Sequence, residues 1–311
     1  MIKNLFKVPI YVVLIVSTIL FVSVASCIND SEEEKIENDL KNIGNDDGSV
    51  IDSEGNMGDI MGNLSSPVEM AALIKDNGVP FSLKYLSNPD NIDHYSTKFE
   101  QALGLGILGA DLGYLNIYDR TTYVLRYISA ISKLSEELSV SQFFDFETLK
   151  RLATNNENLD SLIYISTSSF NRMDSYLREM NRADQSILIV TGVWIEAMYQ
   201  ATQVVKEKPN EKITERIGEQ KLILSELINA IKKYESKKAF KDLLGDLMEI
   251  NLIYDKIKIE YQVGEPETVE IDGRLIIQQN ETSIVNITQD QLNQIISVIE
   301  KIRNKRIQLN N

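Results

Sequence analysis

Two acidic residues stand alone in stretches that are otherwise apolar or uncharged. Asp111 is the only charge between Ala102 and Leu115, and Glu196 is the only charge between Ser186 and Val205. At helical spacing each has polar company. Tyr114 and Tyr118 follow Asp111 by three and seven residues, and Tyr199, Gln200 and Gln203 follow Glu196 by three, four and seven. A buried carboxylate is costly unless it is paired or hydrogen-bonded, so each must have an answer in the fold. If Asp111, Tyr114, Tyr118, Glu196 and Tyr199 line one pocket between helices, the tyrosine faces and carboxylates suit a polar organic ligand such as a sugar or a peptide. Two facing carboxylates would also have the makings of a general acid and base, as in glycoside hydrolysis. The more economical reading is internal. Tyrosine hydroxyls, or arginines such as Arg120, Arg126, Arg172 and Arg178 from adjacent helices, would satisfy both acids.

Most other chemistry lacks its residues. With one histidine, His94, and one cysteine, Cys27, the chain has no His/Cys metal cluster, no Ser-His-Asp set and no Cys-His pair, and no cofactor is expected. His94, beside Asp93, reads as exposed and structural. The spelling Gly104-x-Gly106-x-x-Gly109 matches a dinucleotide fingerprint, but it falls inside a helical pattern and follows no strand. With 32 basic residues against 46 acidic ones, a formal net charge of −14, nucleic acid and anionic lipid head groups are poor partners. The basic exception, Lys301, Arg303, Lys305 and Arg306, sits at the end of the last helical pattern and reads as a complement to the helix dipole.

The elements that must position these residues are helices. Phe99 to Tyr118 is apolar or small on every side, which marks a helix buried inside others. Its glycines cost helix propensity, about 1 kcal/mol each. The stripe Ala102, Gly106, Ala110 and Gly113 suggests the compensation, a close approach by a neighbouring helix. Ser186 to Val205, thinned by Gly192, Ala197 and Ala201, is the candidate for that neighbour. Ser66-Pro67-Val68-Glu69 signals the start of an earlier helix that ends at Asn77-Gly78. A loop, Val79 to Asp93, then lays Phe81, Leu83, Tyr85 and Leu86 on the core, with Asp93 as the expected cap of the central helix. Further helices are expected at Thr121 to Leu138, Phe143 to Ala153, Leu159 to Met180, Ile213 to Tyr234, Phe240 to Ile259 and Asp290 to Ile307. Glu267 to Ile271, Asp272-Gly273 and Arg274 to Gln278 form a hairpin signal that Ser283 to Ile287 can join, giving a β insertion over about 267–287. The fold class is therefore all-α, an antiparallel helical bundle of about eight or nine helices with a small β-hairpin near the C-terminus.

The amino-terminal part has its own logic. Lys3 and Lys7, the apolar run Val8 to Val22 and then Val24-Ala25-Ser26-Cys27 follow one another as in a secretory signal. The tetrad resembles the lipobox of bacterial lipoproteins. That resemblance implies a signal peptide over 1–26, cleavage before Cys27 and lipid on Cys27; an uncleaved membrane helix is the alternative, against which the short apolar run counts. Ser31-Glu32-Glu33-Glu34 is similar to the signal that sends some Gram-negative lipoproteins to the outer face of the outer membrane, with a periplasm-facing anchor as the alternative. Residues 27–64 lack an apolar period and read as a lipidated, disordered acidic linker ahead of one helical domain, 65–311.

An exported helical lipoprotein invites comparison with the imelysin-like family, but that family's histidine-bearing motif is not found, so its chemistry does not carry over. The body, around Leu103 to Tyr114, resembles all-helical envelope lipoproteins of Gram-negative bacteria, a likeness that brings no active site. The expectation is a lipoprotein anchored in the outer membrane by its lipid and acting as a non-catalytic binding or interaction module, with an envelope protein or a polar small molecule as partner. The alternatives are an envelope hydrolase of glycans or peptides using Asp111 and Glu196, and a structural subunit that docks through its hairpin.

Overall fold

The computed structural model describes residues 67–149, 159–263, 267–271, 274–278 and 281–307. Contacts divide the chain into Met1–Glu54 and Gly55–Asn311, and the architecture below belongs to the second unit. The expected signal peptide, Cys27, the acidic linker, Ser66 and the Asp272-Gly273 turn lie outside the described residues.

The helices are α1 (Pro67–Asp76), α2 (Lys98–Ile117), α3 (Thr121–Glu137), α4 (Leu159–Glu179), α5 (Ala183–Glu207), α6 (Glu211–Glu219), α7 (Lys221–Lys232), α8 (Lys238–Tyr254) and α9 (Gln289–Ile307). Strands β1 (Lys258–Val263), β2 (Glu267–Ile271), β3 (Arg274–Gln278) and β4 (Glu281–Asn286) lie between α8 and α9. The fold is all-α with a small β element, as the apolar periods require. The expected helix at 143–153 is helical at residues 146–149, and its remainder is not described.

The buried centre is the pair α2 and α5. A Cβ added to Gly106 would collide with the Ile189 carbonyl of α5, and one added to Gly192 would collide with the Leu103 carbonyl of α2. Glycine is therefore required on both sides of the crossing, and the close approach offsets its propensity cost. Gly109, by contrast, faces open space, so not every glycine of α2 serves packing. Contacts rise together along both helices, from Gly106 with Ile189 to Asp111 with Gln200, so the two run parallel. Neighbours joined by short connections run antiparallel, as α2 and α3 do, with Gln101 bonded to Glu137.

Three expectations need correction. Asp93 does not cap α2; it lies in a 3-10 turn, Pro89–His94, and pairs with Lys133. Thr97 caps α2 instead, its side chain accepting from the Glu100 N–H while the Glu100 carboxylate accepts from the Thr97 N–H, a reciprocal box that places the cap four residues later. The expected helix Ile213 to Tyr234 is broken at Gln220 into α6 and α7. Val285 of β4 packs where a Cβ on Gly218 would stand, at the break. Finally, Lys258–Val263 is a strand rather than the tail of α8. It pairs antiparallel with β4 from Lys258 opposite Asn286 to Val263 opposite Glu281, while among the described residues β2 pairs with β3 alone, so β4 does not join that hairpin. Those partners are 18 to 28 residues away, so the pairing lies beyond a local period.

Candidate functional site

The two lone carboxylates are both buried, and each has a different set of partners. Glu196, on α5, has no exposed surface. Its two oxygens accept from Arg303 of α9, Oε2 from Nε at 3.0 Å and Oε1 from Nη2 at 2.9 Å, a bidentate pair with the geometry of the strongest charge-assisted bonds. The Arg303 guanidinium also lies 4.2 Å from the centre of the half-buried Tyr199 ring, where the ring face attracts it. Burial works against the charge of Arg303, but the Glu196 carboxylate outweighs it and raises the guanidinium's affinity for its proton.

Asp111, on α2, is equally sealed from solvent but accepts only from neutral groups. Its Oδ2 accepts from the Ser87 backbone N–H at 3.0 Å and from the Ser87 hydroxyl, and its Oδ1 accepts from Gln200 Nε2 at 3.0 Å. Ser87 belongs to the segment 79–97, which crosses the end of α2 in two 3-10 turns, and the Tyr127 hydroxyl of α3 donates to the Ser87 carbonyl at 2.6 Å. Burial pushes the Asp111 carboxyl well above the ordinary carboxylate range, and the nearby Glu196 charge adds to this, against the opposing effects of Arg303 and of the Ser87 bonds. Tyr95 and Tyr127 flank the same region. Burial first, and then the charges of Asp111 and Glu196, push both phenols up.

The structure thus brings Asp111, Glu196 and Tyr199 into one polar core, with Gln200 bonded to Asp111. Tyr114 and Tyr118 are placed elsewhere, in an aromatic cluster under the segment 79–97. Their rings lie 4.7 Å apart and both meet Phe81. The Tyr114 hydroxyl accepts from the Ser82 N–H, and the Tyr118 hydroxyl donates to the Val79 carbonyl at 2.7 Å. The five residues therefore do not line one pocket, because the tyrosines are used to fasten a loop.

None of the four arginines proposed as counter-charges is bonded to Asp111 or Glu196. Arg126 pairs with Asp90, Arg178 with Asp174, and Arg120 lies over the Phe81 ring; Arg172 makes no bond to either acid. The counter-charge is Arg303. Lys305 and Arg306 do lie in the last turn of α9, where they complement the dipole, and the basic end is paired as well, Lys301 with Glu249, and Lys305 and Arg306 with Asp246. A signal for Arg303 existed. It continues the apolar stripe Leu292, Ile296, Ile299 at steps of four, three and four, and a charge in such a stripe requires a buried partner.

Among the described residues no group of three His, Cys, Asp or Glu side chains is placed to hold a metal ion, and no helix is long and apolar enough to cross a membrane. With every oxygen of both lone acids engaged inside the protein, the arrangement supplies positioning and charge balance rather than a carboxylate free to meet a substrate. Comparison with known protein families, with curated proteins and with solved structures gave no match to this chain.

Proposed function

We propose that the chain is a lipoprotein of the outer membrane, anchored through lipid on Cys27 and acting at the cell envelope as a non-catalytic binding or interaction module. The lipobox and the acidic residues after it support the anchor. The observation that supports the non-catalytic role is the complete internal engagement of Asp111 and Glu196, neither of which has exposed surface. A hydrolase built on these two acids needs both to open onto a substrate cleft.

The test is to incubate purified protein with envelope glycans and peptides, and in parallel to label cells with a radioactive fatty acid. No turnover is expected, and lipid incorporation should be lost in Cys27→Ser. Turnover abolished by Asp111→Asn would replace this reading with the hydrolase. One feature favours a narrower form in which the protein docks to an envelope assembly. Among the described residues the β2–β3 ladder has no third strand on either edge, and open edges are suited to strand addition. Deleting residues 267–278 should then remove co-purifying partners, and an unchanged partner set would count against docking through the ribbon.

A further inference from the structure

We propose that residues 79–97 form a strap latched to the helical core by the Asp111 carboxylic acid, so that the strap is sealed while Asp111 keeps its proton and opens when that proton is lost. The inference does not depend on the lipoprotein reading. It rests first on a charge count. Two fully buried carboxyl groups share a region with one buried cation, and Arg303 spends both Nε and Nη2 on Glu196. The charged and titratable groups around Asp111 are Glu196 from α5, Arg303 from α9, Tyr95 from the strap and Tyr127 from α3. Tyr95 and Tyr127 carry no positive charge in either protonation state, and burial holds both neutral, so neither balances a second negative charge.

A second observation shows where the proton can sit. Gln200 Oε1 is a buried acceptor without a donor, on the same amide whose nitrogen meets Asp111 Oδ1. Turning that amide end over end presents Oε1 to a protonated Oδ1. The turn exchanges an unmet acceptor for an unmet donor, so the proton is accommodated without loss, and the two ends of an amide are alike in shape. The nearby Arg303 guanidinium and three neutral donors do favour the carboxylate form. Desolvation of an ion with no cation bonded to it, and repulsion from Glu196, oppose them and set the direction.

Ionisation of Asp111 would therefore leave a net negative charge in a dry core, which only water can relieve. The helices around it are locked by their own packing. The strap has two short 3-10 turns and no α-helix or sheet ladder. It is held by the buried side chains of Tyr85, Leu86 and Tyr95, by the exposed ion pairs Arg126–Asp90 and Lys133–Asp93, and by single bonds from Tyr118 to Val79, from Ser82 to Tyr114, from Tyr85 to Glu207 and from Tyr127 to Ser87, with the Ser87–Asp111 latch at its middle. It is the cover that gives way, and opening it would expose the acid cluster and the Tyr114–Tyr118 aromatic cluster together.

The experiment is infrared spectroscopy and amide hydrogen exchange on the full chain between about pH 5 and about pH 9. The expected result is a protonated-carboxyl band that is lost in Asp111→Asn. Strap exchange, after correction for the intrinsic rate, should rise with pH in the wild type by up to roughly tenfold per pH unit and stay flat and slow in Asp111→Asn. Ser87→Ala, which keeps the acid and removes the hydroxyl latch, should exchange faster in the strap already at low pH. The proposal is overturned if the wild type shows no acid band at neutral pH, if strap exchange in the wild type follows the intrinsic rate alone, or if the Asp111→Asn strap is open at every pH. Should Asp111→Asn fail to fold, the wild-type pH series and Ser87→Ala decide the matter by the same criteria.

Discussion

Glu196 and Asp111 are about as alike in burial as two acids can be, yet α9 serves one and the strap serves the other. Glu196 has a full countercharge in bidentate geometry, contributed by a helix that shares its apolar face with the rest of the core. Asp111 has a backbone N–H, a hydroxyl and an amide, and no cation of its own. The difference teaches that a lone acid in an apolar helix has two stable solutions, pairing with a buried charge or keeping a proton. Each leaves a different mark on stability. Breaking the first strands a charge, whereas ionising the second creates one in the core.

The comparison can be broken most decisively at Arg303. Arg303→Met leaves Glu196 buried without its partner and should cost about 3–5 kcal/mol in denaturant unfolding, while Glu196→Met combined with Arg303→Met should recover most of the loss. If the single substitution is harmless, the pair is not the anchor of α9. A smaller loss, about 1–3 kcal/mol, is expected for Gly106→Ala, whose new methyl group must displace the Ile189 backbone of α5. Gly109→Ala, facing open space on the same helix, should be neutral or stabilising by the same assay.

Asp111 sharpens the contrast through pH. Its folded-state value is raised above the unfolded one, so its contribution is fully present below the ordinary carboxylate range. It falls as pH rises, at up to about 1.4 kcal/mol per unit, and the loss is complete once the pH passes the folded-state value. Asp111→Asn should remove that slope at a cost of no more than about 1 kcal/mol at neutral pH, and an unchanged slope would show that Asp111 is ionised in the fold. The smallest effect is a control away from both acids. Ser139 sits past the end of α3 at φ 53°, where glycine is favoured. Ser139→Gly should stabilise by about 0.5–1 kcal/mol, and by the same amount in the Arg303→Met and Asp111→Asn backgrounds, because distant sites add.

What could be read in advance follows from the range of the forces concerned. The central helix, its apolar faces and the helix that presses on Gly106 were legible, because periodicity and small-residue stripes are local. That Asp111 and Glu196 would be buried was legible from their isolation. Which groups would answer them was not. Ser87 and Arg303 lie 24 and 107 residues away from the acids they serve, and nothing within one helix turn selects them. Arg303 was visible as a charge in an apolar stripe, but its place at a helix end also fits the dipole, and a single chain offers no way to weigh the two by pattern. The strand β1 was missed for the same reason, its partner being β4. The residue capping α2 was misread through a local ambiguity, since Asp93 and Thr97 are both good caps and only Thr97 has Glu100 three residues on.

The parallel pairing of α2 and α5 also governs the order in which the chain can assemble. Helical proteins usually fold quickly because their contacts are short in sequence. Here the central contact joins residues 89 apart, and the countercharge of Glu196 emerges 107 residues after it. A chain emerging from its amino end can form α2 and the α2–α3 hairpin early and can seat α5 on α2, but the face of α5 that carries Glu196 stays uncovered until α9 arrives. The docking of α9 is therefore the contact that completes the core around Glu196, and it needs nearly the whole chain.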